Sequence, residues 1–147
     1  MRLDGRVAIV TGAAHGIGRA ICVELAREGA AVWACDVRAE PLAGTRAAVD
    51  TVKPDACRTE VVDVRDAAAV AAFVARVEGA AGRIDALVNA AGGVAGQTMR
   101  ALEQVSDANW REIFAINLDG AFHFTRAVAP VMKRAGRGAI VNISSGA

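Results

Sequence analysis

The stretch TGAAHGIG, residues 11–18, decides the fold. It follows a short apolar run at residues 7–10, VAIV, and it precedes a segment with helical spacing at residues 17–28. A strand, a glycine-rich turn and a helix in this order are typical of the phosphate-binding turn of a nucleotide-binding fold. The first question is therefore whether the rest of the chain supplies the other parts of such a fold.

The glycines of this stretch have the spacing GxxxGxG, and each position has a physical reason. Gly12 permits a tight turn, Gly16 has no Cβ and lets backbone approach a pyrophosphate, and Gly18 lets the helix pack close to the strand. Tight turns also need glycine for steric reasons alone, but the position between strand and helix favours a cofactor loop. The predicted loop contacts are Gly12, Ala14, His15, Gly16, Ile17 and Gly18.

Outward from the loop, short β-rich runs alternate with longer helical patterns. The predicted strands are residues 7–10, 30–35, 59–62, 84–90 and 139–144, and the predicted helices are 17–28, 40–50, a stripe over 70–77, and 107–134. Alternation of this kind predicts parallel strands with crossover helices on both faces. We expect one α/β domain over residues 1–147, a Rossmann-type doubly wound sheet with ligands at the carboxyl ends of its strands.

Composition excludes several classes of protein. The chain has 147 residues, 54% hydrophobic residues and a net charge of +1, with acids interleaved among its basic residues. This pattern favours a folded globular protein and argues against a nucleic-acid or membrane partner. Cys22, Cys35 and Cys57 lack CxxC spacing, which favours packed, reduced thiols in a cytoplasmic protein and no metal site.

Two acids follow predicted strands and face the same edge of the sheet. Asp36 lies 18 residues beyond Gly18, where a carboxylate hydrogen-bonds the adenosine ribose and repels a 2′-phosphate. The sequence therefore predicts NAD in preference to NADP, although Arg38 lies nearby and Asp36 could merely end a strand in a turn. Asp63 could meet the adenine amino group, but a turn or helix-capping role is almost as well supported.

An asparagine interrupts an apolar stripe of the long predicted helix. Asn117 shares spacings of 3 and 4 with five apolar positions, Trp110, Phe114, Ala121, Phe124 and Val128. This spacing predicts one buried face, where an unpaired amide would cost about 1–3 kcal/mol. Spacing alone leaves open a structural amide and an amide that orients water or backbone in a catalytic site. His123, beside this stripe, is interpreted as a helix histidine with a hydrogen-bond partner.

Taken together, these motifs resemble the short-chain dehydrogenase/reductase family over residues 6–147. They are TGAAHGIG, Asp36, Asp63-Val64, Asn89-Ala90-Ala91-Gly92, Asn117 and Ile143-Ser144-Ser145, in the family's order. The resemblance implies that Asp63 and Val64 line the cofactor site, and that residues 89–92 line its adenosine side and brace the central sheet. By the same resemblance Asn117 holds a water in a proton relay and Ser145 binds the substrate. It also implies an alcohol or ketone substrate and a homo-oligomer, a dimer or a tetramer. On this basis Asn117 is assigned a catalytic role.

The resemblance also implies a catalytic Tyr and Lys in a YxxxK motif beyond Ser145, and this chain contains no tyrosine. We expect a fragment of a longer enzyme, ending after the fifth strand, because a strand over residues 139–145 would otherwise leave an apolar sheet edge exposed. The alternatives are a nucleotide-binding module without chemistry and a truncated product without function. Residues 93–100 are expected to border the substrate entrance, and they do not identify the substrate.

Overall fold

The computed structural model describes residues 1–97 and 100–145. Its strands are β1 Val7–Thr11, β2 Ala31–Asp36, β3 Cys57–Val61, β4 Ala86–Asn89 and β5 Ala139–Asn142. Its α-helices are α1 Gly16–Arg27, α2 Ala39–Asp50, α3 Ala67–Ala81, α4 Asp107–Phe114 and α5 Gly120–Ala135. A 3-10 turn covers Leu102–Gln104. Within residues 1–97 and 100–145, no helix is long and apolar enough to cross a membrane.

All five strands pair in parallel, in the order β3-β2-β1-β4-β5. The strand order reverses between β1 and β4, and such a switch point opens a crevice at the carboxyl ends of the strands. The predicted doubly wound α/β fold is confirmed. Among the described strands β5 is at an edge, with Ile140 38% and Val141 48% exposed, as the sequence led us to expect.

Helices cover both faces of the sheet. On one face α3 and α5 pack on β1 and β4, with Phe73, Phe124 and Leu87 fully buried. On the other face α1 and α2 pack through Cys22, Leu42 and other small or branched residues. The two apolar layers fix the sheet between the helices, so the strand ends hold their positions at one edge.

The three cysteines belong to this interior. All of them are free and buried, which confirms the packed thiols expected from the sequence. Burial raises the pKa of the Cys57 thiol to about 11, and it also raises the pKa of the Cys22 and Cys35 thiols. Thiols held in the neutral form at neutral pH are unreactive, so these residues act as small apolar side chains.

The long predicted helix over residues 107–134 is interrupted. A π-helical turn, Ala115–Asp119, separates α4 from α5. Because a π turn adds a residue to the turn, it rotates the two α-helical segments and breaks the predicted single face. Phe124 is buried, but Trp110 is 56% and Phe114 39% exposed, and their rings stack at 4.5 Å. The prediction of one buried stripe is therefore wrong for its first half.

Candidate functional site

A cleft of about 570 Å³ opens at the carboxyl ends of β1 to β4. Its walls come from the glycine loop, from the segments that follow β2 and β3, and from the loop that follows β4. The lining residues predicted from the sequence are Gly12, His15, Asp36, Asp63, Val64, Ala90, Ala91 and Gly92. Motifs that are far apart in the chain are thus brought to one site by the parallel sheet.

The three glycines of the loop meet different constraints. Gly12 has φ +63°, and a Cβ there would lie 2.6 Å from the Ala90 carbonyl oxygen. A Cβ on Gly18 would lie within 3 Å of the Gly12 carbonyl, since the start of α1 packs directly on the loop. Gly16 has φ +52° and open space where its Cβ would be. Gly12 and Gly18 are needed for packing, whereas Gly16 leaves one side of the loop open.

The N-terminus of α1 has no side-chain cap. His15 occupies the N-cap position without a side-chain hydrogen bond to the helix, and no acid lies in the first turn. Ile17, in that turn, is 62% exposed. Backbone N–H groups at an open helix start carry partial positive charge, so this end of α1 suits an anion such as a phosphate.

Two side chains hold the loop from the opposite side. The Thr45 hydroxyl donates to the Ala13 carbonyl at 2.6 Å, and the Arg19 guanidinium donates to the Ala14 carbonyl. Arg19 also donates to the Thr45 hydroxyl at 3.0 Å. These bonds fix the carbonyl side of the loop against α1 and α2, away from the cleft. Neither residue is predicted from the sequence, since neither belongs to a motif.

Asp36 ends β2 with its side chain only 7% exposed. One carboxylate oxygen accepts from the Ala14 N–H at 3.1 Å, and the other accepts from the Arg38 N–H at 3.1 Å. The Arg38 guanidinium lies 3.4 Å from that second oxygen. Asp36 thus ends its strand in a turn, and it also anchors the glycine loop. Arg38 lies against its carboxylate, as the closeness of the two residues in the sequence indicated.

Asp63 is held in a turn by Arg65. Its carboxylate accepts from the Arg65 N–H at 2.9 Å and from the guanidinium at 2.6 Å. The side-chain hydrogen bond from Arg65 lowers the pKa of this carboxyl group. The turn role is confirmed, but the helix-capping alternative is wrong. Asp66 is the residue that caps α3, because its side chain accepts from the N–H groups of Ala68 and Ala69.

The segment after β4 is anchored by a residue outside the predicted set. The hydroxyl oxygen of Thr11 accepts from the Ala90 N–H at 3.1 Å and from the Ala91 N–H at 3.0 Å. A polar residue at the end of an otherwise apolar strand was the available signal. Thr11 therefore joins the glycine loop to the opposite wall of the cleft.

Asn89 faces away from the cleft that its neighbours line. It is 4% exposed, and its amide nitrogen donates to the Asn142 side-chain oxygen at 2.8 Å. The Asn89 carbonyl also accepts from the Ile143 N–H at 2.9 Å. These contacts connect β4 to the end of β5, so Asn89 braces the sheet, as the resemblance implied, and does not line the cleft.

Asn117 lies in the π turn and is exposed rather than buried. Its amide oxygen accepts from the Gly93 N–H, and its amide nitrogen donates to the Gly93 carbonyl, both at 2.9 Å. The same nitrogen donates at 2.9 Å to the Ile113 carbonyl, the acceptor that the Asn117 N–H would use in a regular α-helix. A Cβ on Gly92 would lie 2.7 Å from the Asn117 amide oxygen. Asn117 therefore fixes the loop that closes one side of the cleft.

Ser145 lies three residues after β5 and is exposed, outside the residues that line the cleft. The segment expected to border the substrate entrance lines the cleft with Gly93, Val94, Ala95 and Gly96. Thr98 and Met99 of that segment lie outside the described residues. Among the described residues, no group of three or more His, Cys, Asp or Glu could hold a metal ion.

The glycine loop, the open start of α1 and the acid that ends β2 together form the crevice expected of a dinucleotide fold. The family profile described as short chain dehydrogenase matches residues 6–147. The chain belongs to the short-chain dehydrogenase family. Named relatives include a D-threitol dehydrogenase from Mycolicibacterium smegmatis, 46% identical over 98% of this chain and 54% of that protein. A galactitol 2-dehydrogenase from Cereibacter sphaeroides is 43% identical over 98% of this chain and 54% of that protein.

Solved structures of the short-chain dehydrogenase family share the fold. A metagenomic short-chain oxidoreductase in complex with NADP superposes with a TM-score of 0.92 at 37% identity, covering 100% of this chain and 65% of that one. An NAD⁺-bound xylitol dehydrogenase superposes with a TM-score of 0.92 at 33% identity, covering 99% of this chain and 55% of that one. The chain spans about half the length of the curated relatives it matches.

Proposed function

We propose that this chain is the cofactor-binding part of an NAD-dependent oxidoreductase acting on a secondary alcohol or the corresponding ketone. The observation that supports it most is the joint placement of the open α1 start and the Asp36 carboxylate, linked through the Ala14 N–H. The relatives named above are oxidoreductases, and several are named for polyols. Polyols are therefore the first substrates to test, in the complete protein.

The residues of the cleft fit a dinucleotide. The uncapped N-terminus of α1 and the open side of Gly16 suit the pyrophosphate, and Asp36 suits the ribose hydroxyls. When bound, the nicotinamide supplies or accepts the hydride. In this proposal Ser145 orients the substrate oxygen, and Asn117 holds the loop and a water for proton exchange. The proton itself is taken by a Tyr assisted by the Lys of a YxxxK motif, which the family resemblance implies and which is absent from these 147 residues.

Asp36 is proposed to set the preference for NAD. The solved relatives include one with NAD⁺ and one with NADP, so the family alone does not decide the cofactor. A carboxylate at this place repels a 2′-phosphate, while Arg38 partly neutralises it. Asp36→Ala is expected to raise the affinity for NADP relative to NAD by about tenfold or more. Asp36→Asn is the matched variant, because it keeps an acceptor for the Ala14 N–H and removes only the charge.

The measurement is the dissociation constant of each cofactor for the wild type and both variants. If the ratio of the NAD and NADP constants is the same in all three proteins, Asp36 does not select the cofactor. If neither cofactor binds the wild type, the proposed function itself fails.

A nucleotide-binding module without catalysis is the second candidate. This candidate requires only the cofactor cleft, which the described residues form. Intact mass and a cofactor titration of the purified protein distinguish the two candidates. A mass near 15.1 kDa with NAD binding and no turnover supports the module, whereas a larger mass with alcohol oxidation supports the enzyme.

A homo-oligomer is proposed with support from one surface. Four exposed apolar residues, each four positions after the one before, lie along α4, the π turn and α5. They are Trp110, Phe114, Leu118 and Phe122. Large exposed apolar patches mark association surfaces. Light scattering of the complete protein is expected to give a dimer or tetramer, and replacement of Trp110 by Ser is expected to weaken it. A monomeric wild type would contradict this proposal.

A further inference from the structure

His123 lies on α5, and its ring contacts a wall of the cleft. Its Nδ1 is 2.9 Å from the carbonyl oxygen of Val64, 59 positions earlier in the chain. Since a carbonyl only accepts, Nδ1 carries the hydrogen and donates it. The helix histidine with a hydrogen-bond partner that the sequence predicts is confirmed, and the partner is the backbone of a cleft residue.

A second contact holds the same segment. The side chain of Val64 packs on Gly120, where an added Cβ would lie 2.6 Å from the Val64 Cγ2. Val64 is 6% exposed and lies in the core between α3 and α5. The segment 63–65 is thus fixed to the first turn of α5 by one hydrogen bond and one close contact.

The carbonyl and the N–H group of Val64 differ in their hydrogen bonding. Its carbonyl is taken by His123, whereas its N–H has no hydrogen-bond partner among the described residues. Asp63 on one side and Arg65 on the other form the turn described above. A fixed carbonyl restricts rotation of the segment, so the free N–H and the Asp63 carboxylate keep one orientation along the cleft wall.

The helix that carries His123 also positions the opposite wall. Asn117, in the turn before α5, binds both backbone polar groups of Gly93. The two walls of the cleft are therefore hydrogen-bonded to neighbouring turns of one helical segment. A shift of the segment 63–65 relative to this helix would change the width of the cleft.

We propose that His123 is a positioning residue that, through the Val64 carbonyl, orients the 63–65 wall for the adenine half of the dinucleotide. The inference rests on the proposed function for the identity of the ligand. The geometry of the wall does not depend on it. His123 does not touch the ligand in this proposal, and its effect is confined to the half of the cleft that Asp63 and Val64 line.

The test compares His123→Leu, which removes the donor, with His123→Asn, whose amide N–H can donate from a similar place. AMP and nicotinamide mononucleotide are titrated separately against the complete protein. His123→Leu is expected to weaken AMP binding roughly fivefold to tenfold, because one orienting hydrogen bond is lost. Its affinity for nicotinamide mononucleotide is expected to stay within about twofold of the wild-type value. His123→Asn is expected to bind AMP within about twofold of the wild type. Lys133→Gln, at an exposed position in the last turn of α5, is the control and is expected to change neither constant.

Equal weakening of both ligands, or AMP binding by His123→Leu as tight as in the wild type, would overturn the proposal. Where His123→Leu does not fold, Gly120→Ala displaces the same segment without altering His123 and is expected to weaken AMP selectively. Where the wild type binds no AMP, the proposed function fails, and amide hydrogen exchange tests His123 separately. Faster exchange at residues 64–66 in His123→Leu than in His123→Asn supports the positioning role, and equal exchange excludes it.

Discussion

At the scale of single residues, the glycine loop shows that positions within one motif differ in how well they tolerate an added side chain. Gly12 and Gly18 are surrounded by backbone atoms that cannot move away from an added methyl group. Gly16 faces open space, and only its positive φ resists a side chain. A fold requirement and a ligand requirement can therefore be separated by substitutions within seven residues.

Gly18→Ala is expected to lower the free energy of unfolding by about 1–3 kcal/mol, because overpacking outweighs the helix propensity that alanine adds. Gly16→Ala is expected to cost about 1–2 kcal/mol for its left-handed backbone. Urea unfolding measures both values, and calorimetric titration measures the affinity for NAD. Gly16→Ala should remain folded and lose at least about tenfold in affinity. A Gly16→Ala variant that binds NAD as tightly as the wild type would show that the pyrophosphate does not approach this residue.

At the scale of elements, the π turn between α4 and α5 connects helix geometry to the cleft. The Asn117 amide takes a carbonyl of its own helix and both polar groups of Gly93. The turn therefore has a mechanical role that is independent of any water. It places a helix and a loop in a fixed relation at the side of the cleft.

Asn117→Leu removes these three hydrogen bonds at an exposed site and is expected to lower the free energy of unfolding by about 1 kcal/mol. It should also increase the rate of amide hydrogen exchange at Gly93, which loses its acceptor. Asp119→Asn, on the same turn and exposed, is the control and is expected to change stability by less than about 0.5 kcal/mol. Unchanged protection of Gly93 in Asn117→Leu would mean that other contacts hold this loop.

At the scale of the whole molecule, the end of the sheet opposite the cleft is fixed by one carboxylate. Asp85 accepts from the Val7 N–H at 2.9 Å, from Arg6 at 3.0 Å and from Arg83 at 2.7 Å, and Arg137 lies 3.6 Å away. Burial by itself raises the pKa of Asp85, but the hydrogen bonds from Arg83, Val7 and Arg6 outweigh it and lower the pKa well below its usual range. This carboxylate therefore connects the start of β1 with the chain before β4 and β5.

The sign of the pH dependence follows from that lowered pKa. The folded state holds the proton of Asp85 more weakly than the unfolded chain, whose value is about 3.9. The stabilisation is therefore complete above about pH 5 and is lost as the pH falls below the unfolded value. Asp85→Asn is expected to unfold about 1–3 kcal/mol more easily at pH 7 and to lose less stability between pH 5 and pH 3.

Denaturant unfolding at pH 7, 5 and 3 measures this difference. Glu24→Gln is the matched control, because Glu24 pairs with Arg27 at an exposed position of α1 and should contribute less than about 1 kcal/mol. Parallel pH curves for the wild type and Asp85→Asn would show that other carboxylates dominate the acid transition.

The sequence by itself determined the order of elements, the parallel sheet and most of the cleft. Apolar periodicity and the glycine loop are local signals, and the carboxyl ends of parallel strands meet at one edge whatever the details of packing. Asp36 and residues 90–92 could for this reason be placed at the cleft before any coordinates were known. The tertiary structure decided which polar groups meet. Thr11, Thr45 and His123 bind backbone that is far away in the chain, and no spacing rule predicts a partner at such a distance. It also decided that the stripe around Asn117 is broken, because a π turn changes the rotation of a helix without changing its apolar composition.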